Sequence, residues 1–334
     1  MIRYAEFCTS IGGFRLGIEN STMDAKAVYT NEIDANCETT YSNNFGSKFS
    51  SKDIFSLDPH ELPNFEMMCS GFPCQPFSQA GMERGFDDPR GTVFFKLVEI
   101  IRIKKPLIVF FENVPNLLRH DKGLTYRVIE HQLENAGYTV STEILDSTYF
   151  GVPQSRPRIY IVAIKTSYLG ERKFKFTKHI TEKTPLRKYL NLGDYSIPIS
   201  NRWQEYIDLY TNQITPDEVS FDLPKTRTRL ERIAPSCDLD DCAFQIRSSG
   251  IRAYSLDEPF PTFAVSNSGG GAMIPVLSKE RHHLNLTEMR RIMGFPEWYD
   301  LSAVSHTDTI KQLANAVCPP VIASICNDIN KITH

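Results

Sequence analysis

The chain of 334 residues is 41% hydrophobic and 23% charged, which is typical of soluble globular proteins and sufficient for a sizeable core. Its net charge of −3 excludes a polybasic protein, so any binding of nucleic acid requires a local basic surface. The apolar runs at 107–111 and 159–164 are far shorter than the roughly 20 residues of a membrane span. We expect a cytoplasmic protein with reduced thiols, because no secretory signal is visible and eight cysteines are too few for a disulfide scaffold.

Short apolar runs alternate with amphipathic stretches over the first 165 residues. Strands are predicted at 4–8, 27–30, 66–69, 107–112, 139–145 and 159–164. Helices are predicted at 12–19, from 35 onward, at 93–103 and at 126–136. This alternation favours an α/β fold with a doubly wound, mostly parallel sheet. Ligands of such sheets bind at the carboxyl ends of the strands.

The pattern changes after residue 165, and we predict a smaller, irregular second domain over 166–300. Basic residues cluster at 165–188 and 225–232, which is typical either of a phosphate-contacting face or of an ordinary solvated surface. A last helix is predicted at about 308–329, within a C-terminal segment 301–334 that returns to pack on the first domain, residues 1–165.

The first motif, Phe7-Cys-Thr-Ser-Ile-Gly-Gly-Phe14, places a tight glycine turn between a strand and a helix. Such a turn lets the backbone approach a nucleotide-like ligand, although it is also common as a purely structural turn. Glu32 ends the second strand, where a carboxylate can hold both ribose hydroxyls. Asp53-Ile54 lies where a carboxylate could accept a hydrogen bond from an adenine amino group.

Three further motifs carry reactive or charged side chains, and the first two lie at predicted strand ends. Ser70-Gly-Phe-Pro-Cys-Gln-Pro-Phe-Ser78 holds Cys74 between prolines, so an inert buried thiol is the weaker interpretation. Phe111-Glu112-Asn113-Val114 places a carboxyl at the end of an apolar strand, where a raised pKa is expected. Gln154-Ser-Arg-Pro-Arg158 carries two arginines on one side of an extended segment, suited to anionic partners or to solvent.

These motifs, in this order, resemble the cytosine-C5 DNA methyltransferases. The resemblance continues in Gly85-Phe-Asp-Asp-Pro-Arg-Gly-Thr-Val-Phe-Phe95, in Leu286-Thr-Glu-Met-Arg-Arg-Ile-Met-Gly-Phe-Pro296 and in Lys311-Gln-Leu-Ala-Asn-Ala-Val317. It covers about 1–165 and 250–325, and its most specific part is Pro-Cys-Gln followed some 40 residues later by Glu-Asn-Val.

The resemblance implies a Rossmann-like fold that transfers a methyl group from S-adenosylmethionine to carbon 5 of cytosine, leaving S-adenosylhomocysteine. The target cytosine would be flipped out of a short, specific duplex DNA site. Cys74 would add covalently to carbon 6, and Glu112 would hydrogen-bond ring nitrogen 3 and the exocyclic amine. Arg156 and Arg158 would hold the carbonyl oxygen of the base and nearby anionic groups.

The same resemblance assigns binding residues and partners. Cofactor contacts are expected from Ile11, Gly12, Gly13, Phe14, Glu32, Ile33, Asp53, Ile54, Pro73, Asn315 and Val317. DNA contacts are expected from Ser78, Arg90, Ser249, Arg252, Tyr254 and Thr262. No metal is implied and no membrane association is expected. We expect a monomer that acts on double-stranded DNA, together with a restriction endonuclease that recognises the same site.

Departures from the family pattern concern the cofactor site. Cys8 stands where the family commonly has Phe, Ser10 where it has Gly, and Ala314 where it has Gly. The adenine-stacking surface would then come from Ile11, Phe14 or Ile33. Two other functions stay open: an RNA cytosine-C5 methyltransferase acting on transfer RNA, and a non-catalytic DNA-binding protein of the same fold. A nicotinamide-dependent dehydrogenase would account for the glycine turn and for Glu32, but it leaves the Pro-Cys-Gln motif unexplained.

Overall fold

A computed structural model describes most of the chain. The described residues are 1–47, 49–73, 92–178, 182–191, 198–223, 230–232, 237–247, 250–262 and 275–333. Cys74, Ser78, Arg90 and Ser249 lie outside these ranges, as do the predicted basic residues at 225–229.

The strands and helices follow the predicted order. The strands are β1 Ile2–Phe7, β2 Ala25–Asn31, β3 Met67–Ser70, β4 Ile108–Asn113, β5 Tyr138–Asp146, β6 Gln154–Ser155, β7 Pro157–Lys165, β8 Leu230–Arg232, β9 Cys242–Arg247, β10 Gly250–Ser255, β11 Phe260–Pro261, β12 Val276–Leu277 and β13 His282–His283. The α-helices are α1 Gly13–Glu19, α2 Ala35–Phe45, α3 Val93–Lys104, α4 Leu124–Asn135, α5 Thr166–Leu169, α6 Asn201–Tyr210, α7 Leu286–Ile292, α8 His306–Asn315 and α9 Pro319–Thr333. Short 3-10 turns lie at Ile54–Ser56, Pro115–Leu118, His120–Gly123, Ser147–Phe150, Leu186–Tyr189 and Pro216–Glu218.

The predicted doubly wound α/β sheet is confirmed. Among the described residues it has six strands in the order β2-β1-β3-β4-β7-β5. Strands β2, β1, β3 and β4 run parallel, whereas β7 runs antiparallel to both β4 and β5. The carboxyl ends of four neighbouring strands therefore meet at one edge of the sheet.

Strand β4 shows why this sheet is covered on both faces. Its alternate side chains Val109 and Phe111 pack in one hydrophobic cluster with α3 and α4. Ile108 and Phe110 point the other way, into a cluster with α1 and α9. Because side chains alternate across a strand, a strand buried on both faces must be apolar throughout, as this one is up to Glu112.

A second sheet lies in the later part of the chain. Its described strands run in the order β13-β12-β9-β10-β8, and β10 pairs antiparallel with β9. Strand β11 leaves this region and pairs with β6, Phe260 opposite Gln154 and Pro261 opposite Ser155. That pair joins the second sheet to the segment that enters β7, next to the carboxyl edge of the central sheet.

The prediction of a single C-terminal helix at about 308–329 is wrong, because the structure has two helices there. Helix α8 ends at Asn315 and α9 begins at Pro319, with Pro320 next in the chain. Proline has no backbone N–H and is tolerated in the first turn of a helix but not in its interior. Helix α9 packs extensively on α1, whereas α8 contributes Ile310 and Leu313 to a cluster shared with α7 and with Leu16 of α1.

The first part of the basic stretch lies far from the carboxyl edge. Strand β7 begins at Pro157 beside that edge and ends at Lys165, whose N–H donates to the Leu107 carbonyl ahead of β4. Nine strand residues span about 30 Å. The chain then runs along α9, where Arg172 donates to the Ile332 carbonyl and Thr177 to Asp328.

Candidate active site

A cavity of about 620 Å³ opens at the carboxyl edge of the parallel strands. Its walls come from the segments that follow β1, β2, β3 and β4, and from the junction between α8 and α9. The topology brings these segments together, since neighbouring parallel strands end at the same edge. The lining residues are Cys8, Thr9, Ser10, Phe14, Asn31, Glu32, Ile33, Asp34, Cys37, Asp53, Ile54, Phe55, Gly71, Phe72, Pro73, Val93, Glu112, Asn113, Val114, Arg156, Arg158, Ala314, Asn315 and Val317.

The loop after β1 makes its tight turn with left-handed backbone at Cys8 (φ 54°), Ser10 (φ 51°) and Gly12 (φ 80°). Glycine adopts this conformation without strain, which explains why a glycine suits position 10. A Cβ on Gly13 would lie 2.6 Å from the Val317 carbonyl oxygen. Gly12 and Gly13 thus act through close backbone packing and do not themselves line the cavity.

The structure places the side chain of Ile11 away from the cavity. Its side chain is fully buried in the cluster around α7 and α8, and its carbonyl accepts a hydrogen bond from the Tyr299 hydroxyl. It is therefore not among the residues that line the cavity. The glycine turn reverses the chain at this point, which sends the apolar side chain away from the ligand side.

Two carboxylates mark one end of the cavity. Glu32 accepts backbone hydrogen bonds from Ser10 at 2.9 Å and from Ile33 at 2.9 Å, so its position is fixed by both neighbouring loops. Asp53 caps the 3-10 turn Ile54–Ser56 by accepting from the Phe55 N–H at 3.0 Å. Both side chains retain further oxygen lone pairs that can accept hydrogen bonds from a ligand.

Glu112 and Arg158 form a close ion pair at another part of the cavity wall. The Arg158 Nε lies 3.1 Å from the Glu112 Oε1, and the carboxylate is only 8% exposed. Burial raises the pKa of Glu112, while the charges of Arg158 and Arg156 act in the opposite direction. Burial and the two neighbouring cations therefore act on the pKa of this carboxyl in opposite directions, an arrangement typical of functional sites.

Arg156 has a different environment from Arg158. Its side-chain Nη2 donates to the carbonyls of Ala314 at 2.7 Å and Ala316 at 2.9 Å. Its backbone N–H donates to the carboxylate of Asp146. Burial, with the charge of Arg158, lowers the pKa of this guanidinium to about 10, so it stays cationic at neutral pH. Arg156 is thus held at the junction between α8 and α9 whereas Arg158 faces Glu112, and both arginines line the cavity.

The structure brings most of the predicted cofactor residues to one cavity. Phe14, Glu32, Ile33, Asp53, Ile54, Pro73, Asn315 and Val317 all line it. Cys74, the predicted nucleophile, lies outside the described residues, but it follows Pro73 directly in the sequence. Sequence reasoning missed Thr9, Asn31, Phe55, Phe72, Asn113 and Val114 as lining residues. All of them lie within or beside the motifs, so their position near a strand end was the sequence signal that could have identified them.

The predicted DNA-contacting residues that the structure describes lie in the second sheet and its link to β6. Thr262 donates through its hydroxyl to the Ser155 carbonyl at 2.7 Å. The Tyr254 ring packs edge-on against Phe260, with ring centroids 5.2 Å apart. Arg252 is half-buried on β10.

Comparisons with known proteins agree with this geometry. A family model described as C-5 cytosine-specific DNA methylase matches residues 2–331. The Type II methyltransferase M.NlaX of Neisseria lactamica is 32% identical over 331 residues, 98% of this chain and 96% of the relative. The Type II methyltransferase M.HhaI of Haemophilus parahaemolyticus is 31% identical over 333 residues, 98% of this chain and 94% of the relative.

Among solved structures, the S. pombe Dnmt2 methyltransferase superposes with a TM-score of 0.69 at 19% identity, covering 100% of both chains. A putative DNA modification methyltransferase from an E. coli prophage superposes with a TM-score of 0.70 at 16% identity, covering 100% of this chain and 99% of that one. At these identities the likeness concerns the fold. The sequence matches go further, and by them the chain belongs to the C-5 cytosine-specific DNA methylase family and is a DNA cytosine-C5 methyltransferase.

Proposed function

We propose that the cavity holds S-adenosylmethionine at the Glu32–Asp53 end and a cytosine, flipped out of duplex DNA, against Glu112 and Arg158. The observation that carries this proposal is that one continuous cavity joins a pair of acidic side chains with a buried carboxyl–guanidinium pair. The first pair suits a ribose and an adenine amino group. The second pair suits the polar edge of a pyrimidine.

The residues fit S-adenosylmethionine. The cavity is within the range of small-molecule sites, and it is lined by both apolar and polar side chains. The hydroxyl of Ser10 is buried at this wall beside the Cys37 thiol, a weak hydrogen-bond partner, so it retains the capacity to bond to a ligand. When bound, S-adenosylmethionine supplies an electrophilic methyl group on a sulfonium.

The chain's own residues would prepare the cytosine to receive that group. Carbon 5 of cytosine is a poor nucleophile until a thiolate adds at carbon 6, and Cys74 is the residue proposed for this step. Glu112 in its protonated form would donate to ring nitrogen 3 and its other oxygen would accept from the exocyclic amine. These bonds strengthen as charge develops on the ring, so they favour the addition step. Once carbon 5 has bonded to the methyl group, transfer of its proton to a water molecule would re-form the ring double bond and expel the thiolate of Cys74.

Arg158 supports this chemistry in two ways. Its Nε holds the Glu112 carboxylate in place, while its Nη1 donates to the Pro157 carbonyl. A guanidinium has five N–H donors, so others remain to contact the carbonyl oxygen of the base. Its positive charge also opposes the rise in the pKa of Glu112 that burial causes.

We further propose that the target is a short, specific duplex site and that the protein acts as a monomer beside a restriction endonuclease in the cytoplasm. The names of the Type II relatives support the modification role. Within the described part of the chain, no helix is long and apolar enough to cross a membrane.

The test is to incubate the protein with tritiated S-adenosylmethionine and either duplex DNA or transfer RNA. Label in DNA only is expected, and bisulfite sequencing of host DNA would then identify the site. Duplex DNA carrying 5-fluorocytosine at that site should trap a covalent adduct, because carbon 5 then has no proton to lose. The C74S variant should form no adduct. Label in transfer RNA alone, or an adduct with C74S, would refute the proposal.

A further inference from the structure

Among the described residues, three aromatic side chains line the cavity, and only one of them has a ring free to receive a ligand. Phe14 is buried with its ring edge-on to Phe110, the centroids 5.1 Å apart. Phe72 is buried in the same manner against Phe111 at 5.3 Å. Phe55, in contrast, is 49% exposed and makes no ring contact with another aromatic side chain in the described ranges.

Phe55 is held on a rigid turn, so its exposure is not the result of a loose backbone. Its N–H donates to Asp53, and the Leu57 N–H donates to the Ile54 carbonyl to close the turn. Ile54 itself is buried in the core that covers one face of the central sheet. Ile54 therefore packs in the core, while its neighbour Phe55 lines the cavity.

A second exposed apolar side chain borders the same cavity from the loop after β2. Ile33 is 65% exposed, directly after Glu32. The two loops are fastened together by Asn31, whose Nδ2 donates to the carbonyls of Ser50 at 2.9 Å and Lys52 at 2.8 Å. This amide therefore joins the end of β2 to the segment that leads into the Phe55 turn, so the backbones that carry the two apolar side chains are linked.

The chemistry of this pair matches a flat aromatic group. Glu32 and Asp53, the neighbours of Ile33 and Phe55 in the chain, are the proposed contacts for a ribose and for an amino group. An adenine attached to that ribose needs apolar cover on its faces, and two exposed hydrophobic side chains lose unfavourable contact with water when a ligand covers them.

Resting on the cofactor placement proposed above, we propose that Phe55 stacks on the adenine of S-adenosylmethionine and that Ile33 covers the base from the loop after β2. This assigns the adenine-stacking surface to a residue that the sequence motifs do not include. In this assignment Phe55 takes the stacking role expected of Ile11 or Phe14, whose side chains are buried in hydrophobic clusters.

The test is calorimetric binding of S-adenosylhomocysteine to F55A, F55L and F55Y variants. Removing one base-stacking aromatic ring weakens binding roughly 5- to 140-fold, and we expect F55A to fall in this range. F55Y should bind within about threefold of the wild type, because it keeps the ring. Ile144, exposed to a similar degree on β5, provides the matched control, and I144A should leave the affinity unchanged.

A spectroscopic readout separates stacking from simple apolar cover. In an NMR titration with adenosine, a stacked ring shifts the adenine H2 and H8 resonances upfield, and F55L should lose this shift while F55Y keeps it. If F55A and F55L kept both the affinity for S-adenosylhomocysteine and the upfield shifts while E32A bound more weakly, the role of Phe55 would be overturned and the cofactor placement would stand. Unchanged affinity in E32A as well would overturn the cofactor placement itself.

Discussion

Replacing Arg156 by alanine should destabilise the protein and loosen its cofactor site, because this side chain ties β7 to the junction between α8 and α9. It donates two charge-assisted hydrogen bonds, to Ala314 and Ala316, and each such bond contributes about 1.5–3 kcal/mol. Part of this is offset, because the variant no longer buries a cation whose pKa burial has lowered to about 10. We expect a net loss of about 2–4 kcal/mol in the free energy of unfolding.

That loss can be expressed as a melting temperature. An unfolding entropy of about 2.1 cal/mol/K per residue gives about 0.7 kcal/mol/K for 334 residues. Dividing the free-energy loss by this entropy, we expect R156A to melt about 3–6 °C below the wild type. Calorimetry measures this directly. The affinity for S-adenosylhomocysteine should fall as well, because Asn315 and Val317 line the cavity at the same junction.

The matched control is R158A, two residues along the same segment. Arg158 faces Glu112 instead of the helix junction, so R158A should lose turnover with a smaller change in melting temperature. In R158A the pKa of Glu112 should rise further, since a lowering charge is removed. If R156A kept its melting temperature and its cofactor affinity but lost turnover, the guanidinium would act on the base and the positioning role would be refuted.

The remaining predictions concern other charged groups. E112Q should lower the single-turnover rate by at least about 100-fold with little change in DNA affinity, since proton transfer is removed and binding is not; a loss in affinity alone would contradict its role. Burial raises the pKa of Glu6 to about 7, above its value near 4.3 in the unfolded chain. The folded state then binds more protons, so stability falls as pH rises from about 4.5 to 7, and E6Q should remove this dependence. Denaturant unfolding at pH 5 and pH 8 should show E6Q gaining up to about 3 kcal/mol on the wild type, and an equal difference at both pH values would argue against it. Neutralising Lys173, Lys175 and Lys178 together should leave the slope of log affinity for DNA against log salt unchanged, because residues 173–177 lie along α9, away from the cavity, and Lys178 pairs with Glu143 of β5. If these lysines did bind phosphates, the slope would instead become shallower by about 0.9 for each phosphate no longer neutralised.

The central sheet and the strand-end motifs were predictable because both depend on local patterns. A strand buried on both faces is apolar throughout, as 108–111 is, and its polar end at Glu112 then marks the ligand edge. The division of the C-terminal helix was also readable from Pro319 and Pro320, but the helical spacing of apolar residues continues across them and hides the break. The spacing of apolar residues alone cannot distinguish one long helix from two successive helices that have their apolar residues in the same register.

The separate environments of the two arginines and the exposure of Phe55 could not be read from the sequence. Arg156 and Arg158 have the same side chain and the same motif, and only the position of the helix junction 158 residues later in the chain distinguishes them. Phe55 follows a motif residue without belonging to the motif. Its availability depends on a bridge from Asn31, and hydrogen bonds between distant loops leave no periodic signal.

The pairing of β6 with β11 has a consequence for how such enzymes can diversify. Residues 263–274 connect β11 to β12, and both strands are anchored: one beside Gln154, the other against Phe244 of β9. The entropy of closing a loop between fixed ends changes by only about 0.6 kcal/mol per doubling of its length. Insertions or exchanges between these two anchors would therefore leave the strand that carries Arg158 undisturbed. Changes of length in this part of the chain would therefore spare the paired side chains Glu112 and Arg158 of the central sheet.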